Sequence, residues 1–150
     1  MSRRIVLSLT AAVVVLGGAG AFAFAQAGER SPSLAHSTAR YAAPVGERDG
    51  SLTFTTDVTS SSGVKDVKVL AWPADSSFAE RGLTAKDMAT AEPATCKPLN
   101  EDTVRCTYKV AVTTTDAKAS PRGAWHVAVL ADAKNGTTTL NTKAADFTVA

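Results

Sequence analysis

Cysteine and histidine are both scarce in this 150-residue chain, with two of each. Aromatic residues make up 6%, and the charges nearly cancel, 16 Lys and Arg against 14 Asp and Glu. Each scarcity removes a class of function. Two cysteines with no Cys-x-x-Cys spacing and no further soft ligand nearby in sequence argue against a redox pair and against a zinc site. Removing the first 27 residues takes away Arg3 and Arg4 and no acid, leaving 14 against 14. The small excess of positive charge therefore sits at the N-terminus, and no basic surface is expected for nucleic acid. Catalytic signatures are missing as well: there is no Gly-x-Ser-x-Gly, no His-Glu-x-x-His and no Gly-rich phosphate loop. Glu47, Glu80, Glu92 and Glu101 show no spacing that pairs them for acid–base work. The sequence predicts a non-enzymatic protein with no catalytic residue, no metal site and no cofactor.

What is present first is an address. Arg3 and Arg4 precede an almost unbroken apolar run from Ile5 to Ala25. A basic start, an apolar stretch and small residues at its end form the pattern of a secretory signal peptide. Ala23-Phe24-Ala25 and Ala25-Gln26-Ala27 both place small side chains where signal peptidase needs them, and cutting after Ala27 is favoured. The competing reading is a retained membrane anchor, since about 20 apolar residues span a bilayer. No cysteine lies near the cut, so lipid attachment at a thiol is excluded. Ser2-Arg3-Arg4 has a faint twin-arginine character, but Val6 stands where Phe is usual.

Residues 28–50 are rich in Gly, Ser, Ala, Pro and charge, with Leu34, Tyr41 and Val45 as scattered larger apolar residues. No period runs through them, and they are expected to form a flexible tether. Residues 51–150 change character, with 17 Thr and 10 Val, over a quarter of that span. β-branched side chains suit a pleated, half-buried surface. Leu52, Phe54, Thr56 and Val58 alternate with polar neighbours, as do Val67, Val69 and Ala71. Val104, Cys106, Tyr108, Val110 and Val112 form the cleanest strand. Trp125, Val127, Val129 and Ala131 give another, followed by the hairpin signal Asn135-Gly136 and a return through Leu140, Phe147 and Val149. Asn135-Gly136-Thr137 matches a glycosylation acceptor but reads here as that turn. Between Ser77 and Ala91 the alternation stops. Thr84, with Asp87 three residues on, can cap a short helical turn carrying Leu83 and Met88. About seven short strands with regular turn signals predict an all-β, two-sheet antiparallel sandwich.

The segment Ser62-Gly63-Val64-Lys65-Asp66-Val67-Lys68-Val69 resembles the second strand of bacterial immunoglobulin-like or fibronectin-III-like modules. The run from Gly123 to Asp132, then Asn135-Gly136 and Phe147-Thr148-Val149, resembles their last hairpin. The resemblance covers most of residues 51–150 and implies a fold, not an activity. The whole chain is also similar to small exported actinobacterial proteins of uncharacterised function, which implies a location only. Cys96 and Cys106 are ten positions apart, so they cannot form the long-range core disulfide of antibody domains. An oxidising compartment, an even count and an intervening segment long enough to fold back predict a single structural bridge between them.

Several residues invite sharper readings. His36 follows Ala35, and a mature N-terminal histidine can chelate copper, but cutting there lies about ten residues past the apolar run, a poor signal-peptidase site. His36 is therefore expected in the tether and His126 on an exposed strand face. Asp57, Asp66, Asp132 and Asn135 could offer oxygens to calcium, although no Asp-x-Asp-x-Asp-Gly run exists and each reads as a turn or solvated strand residue. Trp125 shares a face with Val127 and Val129 and is expected in the core. Trp72 lies on the opposite face from Val67, Val69 and Ala71, just before Pro73. It is the candidate contact residue, with loop 73–95, for a protein, cell-wall or polysaccharide ligand, although it could equally serve as a lid over the sandwich edge. The expectation is a secreted binding module at the cell surface or in the medium. The alternative is a small secreted protease inhibitor or enzyme using the same loop.

Overall fold

The computed structural model describes residues 30–150 in full and the backbone of residues 21–23. The leader expected over 1–27 lies outside the described residues, except for Ala21–Ala23, a three-residue strand (β1) paired with Thr139–Asn141. The first two residues of the expected tether, 28 and 29, also lie outside them.

The chain then forms β2 (Ser33–Ala42), β3 (Gly50–Thr59), β4 (Val64–Pro73), β5 (Glu92–Pro93), β6 (Thr95–Pro98), β7 (Thr103–Val112), β8 (Gly123–Ala133) and β9 (Thr138–Val149). Helix α1 (Ser77–Arg81) and a 3-10 turn at Asp87–Thr90 lie between β4 and β5, and helix α2 (Thr114–Ala119) joins β7 to β8. All pairings are antiparallel. One sheet has the order β1-β9-β8-β4-β5 and the other β2-β3-β7-β6. The two face each other as a sandwich, so the all-β expectation holds.

The alternation explains the core. Phe54, Val58, Val67, Val69, Cys106, Val127, Val129 and Ala131 are buried together between the sheets. They come from every second position of β3, β4, β7 and β8, where side chains share one face. Thr56 is also buried, at 1% exposure, because its hydroxyl meets Ser37 Oγ at 2.8 Å and the Ala35 carbonyl at 3.3 Å. A buried hydroxyl without such partners would be costly.

The tether expectation is corrected at β2. Residues 33–42 are a ten-residue strand hydrogen-bonded along β3, from Ser33 opposite Thr59 to Ala42 opposite Ser51. The missing period has a physical cause. The register shifts between Ala35 and Thr38, where His36 and Ser37 stand against Thr56 alone. His36 takes the left-handed conformation, φ 53°, which histidine tolerates better than most residues. This bulge reverses the inward parity, from Leu34 before it to Ala39 and Tyr41 after it. The ordered domain therefore begins well before Ser51. Residues 43–49 form the β2–β3 connection, pinned by mutual backbone bonds between Val45 and Arg48. Gly50 is required there, because a Cβ would sit 2.1 Å from the Ala42 carbonyl oxygen.

Outside the core, Asp57 ties β2, β3 and β7 together. Arg105 donates from Nε to its Oδ1 (2.8 Å) and from Nη2 to its Oδ2 (3.1 Å), while His36 Nδ1 lies 3.1 Å from Oδ2. These bonds, led by Arg105, hold the Asp57 carboxyl below the ordinary range despite burial acting the other way. A carboxyl with a depressed folded-state pKa stabilises the fold above its unfolded pKa, about 4. That contribution drains away as pH falls below this value. Asp57→Asn is expected to cost roughly 1 kcal/mol near neutral pH, because Arg105 is half-exposed and screened. It should also flatten the acid limb of a stability–pH curve from urea melts; an unchanged acid limb would show that the cluster does not couple to folding.

Candidate binding site

Where β2, β4, β7 and β9 end and β3 and β8 begin, the two sheets splay and leave a cavity of about 310 Å3. Its walls are apolar. Tyr41 comes from β2, Leu52 from β3, Ala71 from β4, Val110 and Val112 from β7, Trp125 from β8, and Phe147 and Val149 from β9. Three of these rings form a ladder across the gap between sheets. Tyr41 stacks on Phe147 at 5.9 Å and 22°, and Phe147 on Trp125 at 5.8 Å and 27°. Trp125 and Phe147 are register partners on β8 and β9, so their contact follows from the pairing. Tyr41 reaches them from the other sheet because it pairs with Leu52, and the bulge allows Leu34 and Tyr41 both to face inward.

Helix α2 closes one side; Asp116 within it and Ser120, its C-cap, supply the polar lining groups there. Its start is a complete capping box: the Thr113 hydroxyl accepts from the Asp116 N–H, and the Asp116 carboxylate accepts from the Thr113 N–H. The Thr113 hydroxyl is also 2.7 Å from Asp116 Oδ2. Bonds from Thr113 hold the Asp116 carboxyl below the usual carboxylate range. α2 buries none of its residues. It is fixed instead by its cap and by the adjoining chain, where Trp125 Nε1 donates to the Pro121 carbonyl at 2.9 Å. Trp125, expected in the core, is thus a half-buried wall of the cavity.

Trp72 requires a larger correction. It faces away from the sandwich interior, as its parity implied, but it is only 3% exposed. The segment between β4 and β5 folds down over this outer face, burying Trp72, Leu83, Met88, Ala128 and Leu130 as a second apolar cluster. Phe78 meets Trp72 edge-on at 6.1 Å, and Trp72 Nε1 donates to the Thr142 carbonyl at 2.9 Å. Trp72 therefore lies beneath the β4–β5 segment, as the floor of the outer cluster rather than a lid at the sandwich edge. The cover is itself locked by Asp87. Its carboxylate accepts from the Thr84 N–H and hydroxyl and pairs with both terminal nitrogens of Arg81. The expected Thr84–Asp87 pairing is present with the roles inverted: Asp87 accepts, and the short turn begins at Asp87 without a side-chain cap.

The remaining candidates are dispersed. Cys96 and Cys106 are cross-strand partners on β6 and β7 and are joined as a disulfide. His126 is tucked against Trp72 with ring centroids 4.7 Å apart, and its Nδ1 lies 2.6 Å from Asp146 Oδ1. It is not on an open strand face; its side chain is 16% exposed. His36 and Asp57 share the ion cluster of β2 and β3, far in sequence from His126. Asp66 and Asp132 are register partners, and burial with the Asp66 charge pushes the Asp132 carboxyl up. Asn135 spends its side-chain oxygen on Thr137. Among the described residues no three of His, Cys, Asp or Glu converge on a point that could hold a metal ion.

Tyr41, Asp116, Ser120 and Phe147 are the site residues that sequence reading did not select. The parity of Ala39 and Tyr41 with one another was the available signal for Tyr41. Nothing in sequence linked Tyr41 to Phe147, 106 positions downstream.

No curated protein and no solved structure matches the chain. A family model does match, over residues 34–131. That span opens inside β2, in agreement with a folded domain that starts upstream of Ser51. The chain belongs to this family, DUF5707, a family of unknown function.

Proposed function

We propose that this protein is an exported, non-enzymatic, immunoglobulin-like binding module that engages a partner outside the cytosol through the open end of its sandwich. The observation that carries this reading is the aromatic-walled cavity between Tyr41, Phe147 and Trp125. A concave apolar site with few polar groups is the usual form of a recognition pocket. The strand order supports the fold assignment: β2-β3-β7-β6 corresponds to strands A-B-E-D, and β9-β8-β4 to G-F-C. The disulfide and the N-terminal pattern support export. The second reading, a small secreted protease inhibitor or enzyme using loop 73–95, would draw on a segment whose Leu83 and Met88 are committed to the outer cluster.

Cell fractionation and sedimentation test the proposal. The mature chain should be recovered beyond the membrane, and the purified protein should sediment with cell walls or a surface-protein fraction of its native host. Trp125→Ala should weaken that association by at least about tenfold, the usual effect of removing an interface tryptophan, while Lys109→Ala on an exposed strand face should not. Retention in the cytosol, or equal sedimentation of the two variants, would refute the reading.

A further inference from the structure

The cavity's lining restricts what can enter it. We infer that it receives an apolar group bearing a positive charge, an alkyl- or aryl-ammonium, with the body against the ring ladder and the charge at Asp116. This deepens the binding-module reading and rests on it. A volume of about 310 Å3 holds about ten non-hydrogen atoms at roughly 30 Å3 each. A sugar ring would fit by size but not by chemistry. Its hydroxyls would meet Leu52, Val110, Val112 and Val149, leaving several donors and acceptors unpaired. Among the described residues, the polar side-chain groups of the lining besides the Tyr41 phenol and the Trp125 indole N–H, which is spent on Pro121, are those of Ser120 and Asp116 on the α2 side.

Charge then selects among apolar ligands. Among the described residues, Asp116 is the only carboxylate in the lining, and no lysine, arginine or histidine lines the cavity. One of its oxygens, Oδ2, serves the cap of α2. A fatty-acid or sulfate head would be placed against this carboxylate and repelled. An ammonium would be attracted by it and by the faces of the adjacent rings. The ring ladder favours a flat or slender body over a branched one, because each neighbouring pair of planes lies within 27°.

Hexyltrimethylammonium and hexyl sulfate, identical in tail and opposite in head, provide the test on the purified full-length secreted protein, by calorimetry and tryptophan fluorescence. The cation should bind at least about tenfold more tightly than the sulfate at low salt. Asp116→Asn keeps an oxygen for Thr113, so α2 stays capped; in it the preference should shrink to within about twofold. Val112→Trp, which fills the cavity from its half-buried rim, should abolish binding of the cation. Thermal melts establish that both variants are folded. Equal or tighter binding of the sulfate, an unchanged preference in Asp116→Asn, or no binding of the cation would overturn the inference. Absence of cation binding with intact cell-wall sedimentation would sink this assignment alone; loss of sedimentation with cation binding retained would sink the partner reading alone.

Discussion

Trp72→Ala is expected to lower stability by about 3–5 kcal/mol, as for a fully buried tryptophan. For a domain of this size that is roughly 15–30 °C in melting temperature. The side chain is 3% exposed and forms the floor of the outer cluster. Its removal leaves Leu83 and Met88 without their partner and frees the Thr142 carbonyl from its bond. The loss should be local before it is global. Hydrogen exchange should reveal lost protection across the β4–β5 cover, residues 74–91, while the amides of β3 and β7 keep theirs under native conditions. If Trp72→Ala instead melts within about 1 kcal/mol of the parent and the cover stays protected, the outer cluster is not a second core. Cation binding at the opposite face should survive in the variant wherever it remains folded, because Trp72 does not line the cavity.

Replacing both cysteines by alanine is expected to cost about 3 kcal/mol through the unfolded chain alone, since the bridge closes a loop of sequence separation 10. A further loss follows from the core, because Cys106 is 1% exposed and sits among Phe54, Val58 and Val127. A domain with total stability of about 5–15 kcal/mol has little to spare. Urea denaturation of the parent with and without reductant, beside Cys96→Ala/Cys106→Ala, separates the two contributions. The reduced parent keeps the buried sulfur and should fall between the oxidised parent and the variant. A reduced parent as stable as the oxidised one would show that the staple does not act through chain entropy.

The strand pairs most readable in the sequence were those with unbroken alternation. β3, β4, β7, β8 and β9 all follow the spacing of Val, Thr and aromatic residues, and Asn135-Gly136 marks the last hairpin with Gly136 at φ 86°. Three features escaped for different physical reasons. β2 hid because its bulge breaks the two-residue period that identifies strands. The outer cluster hid because Ser77 to Ala91 holds few large apolar residues, yet Leu83 and Met88 are both buried by contact with a sheet distant in sequence. Asp57 read as a solvated strand residue because its partners, His36 and Arg105, stand 21 and 48 positions away. The cavity belongs to the same class: it is a property of where six strand ends meet, and no local pattern encodes it. The disulfide was legible because its two residues face each other across a single short hairpin.

The extra residue at His36–Ser37 makes β2 two short segments in opposite phase, one seating Leu34 and the other Ala39 and Tyr41. β3 runs in one phase throughout, so its pairing sets which β2 residues face inward on either side of the extra residue. Deleting one of His36 and Ser37 would remove the extra residue and restore a regular strand, with Leu34 still opposite Val58 and Tyr41 still opposite Leu52, at the cost of the His36 contact to Asp57 or the Ser37 contact to Thr56. A deletion at 46–48 would merely shorten a surface hairpin. Natural relatives that keep the pocket should accordingly carry one or two residues opposite Thr56, with an aromatic residue kept at the position paired with Leu52.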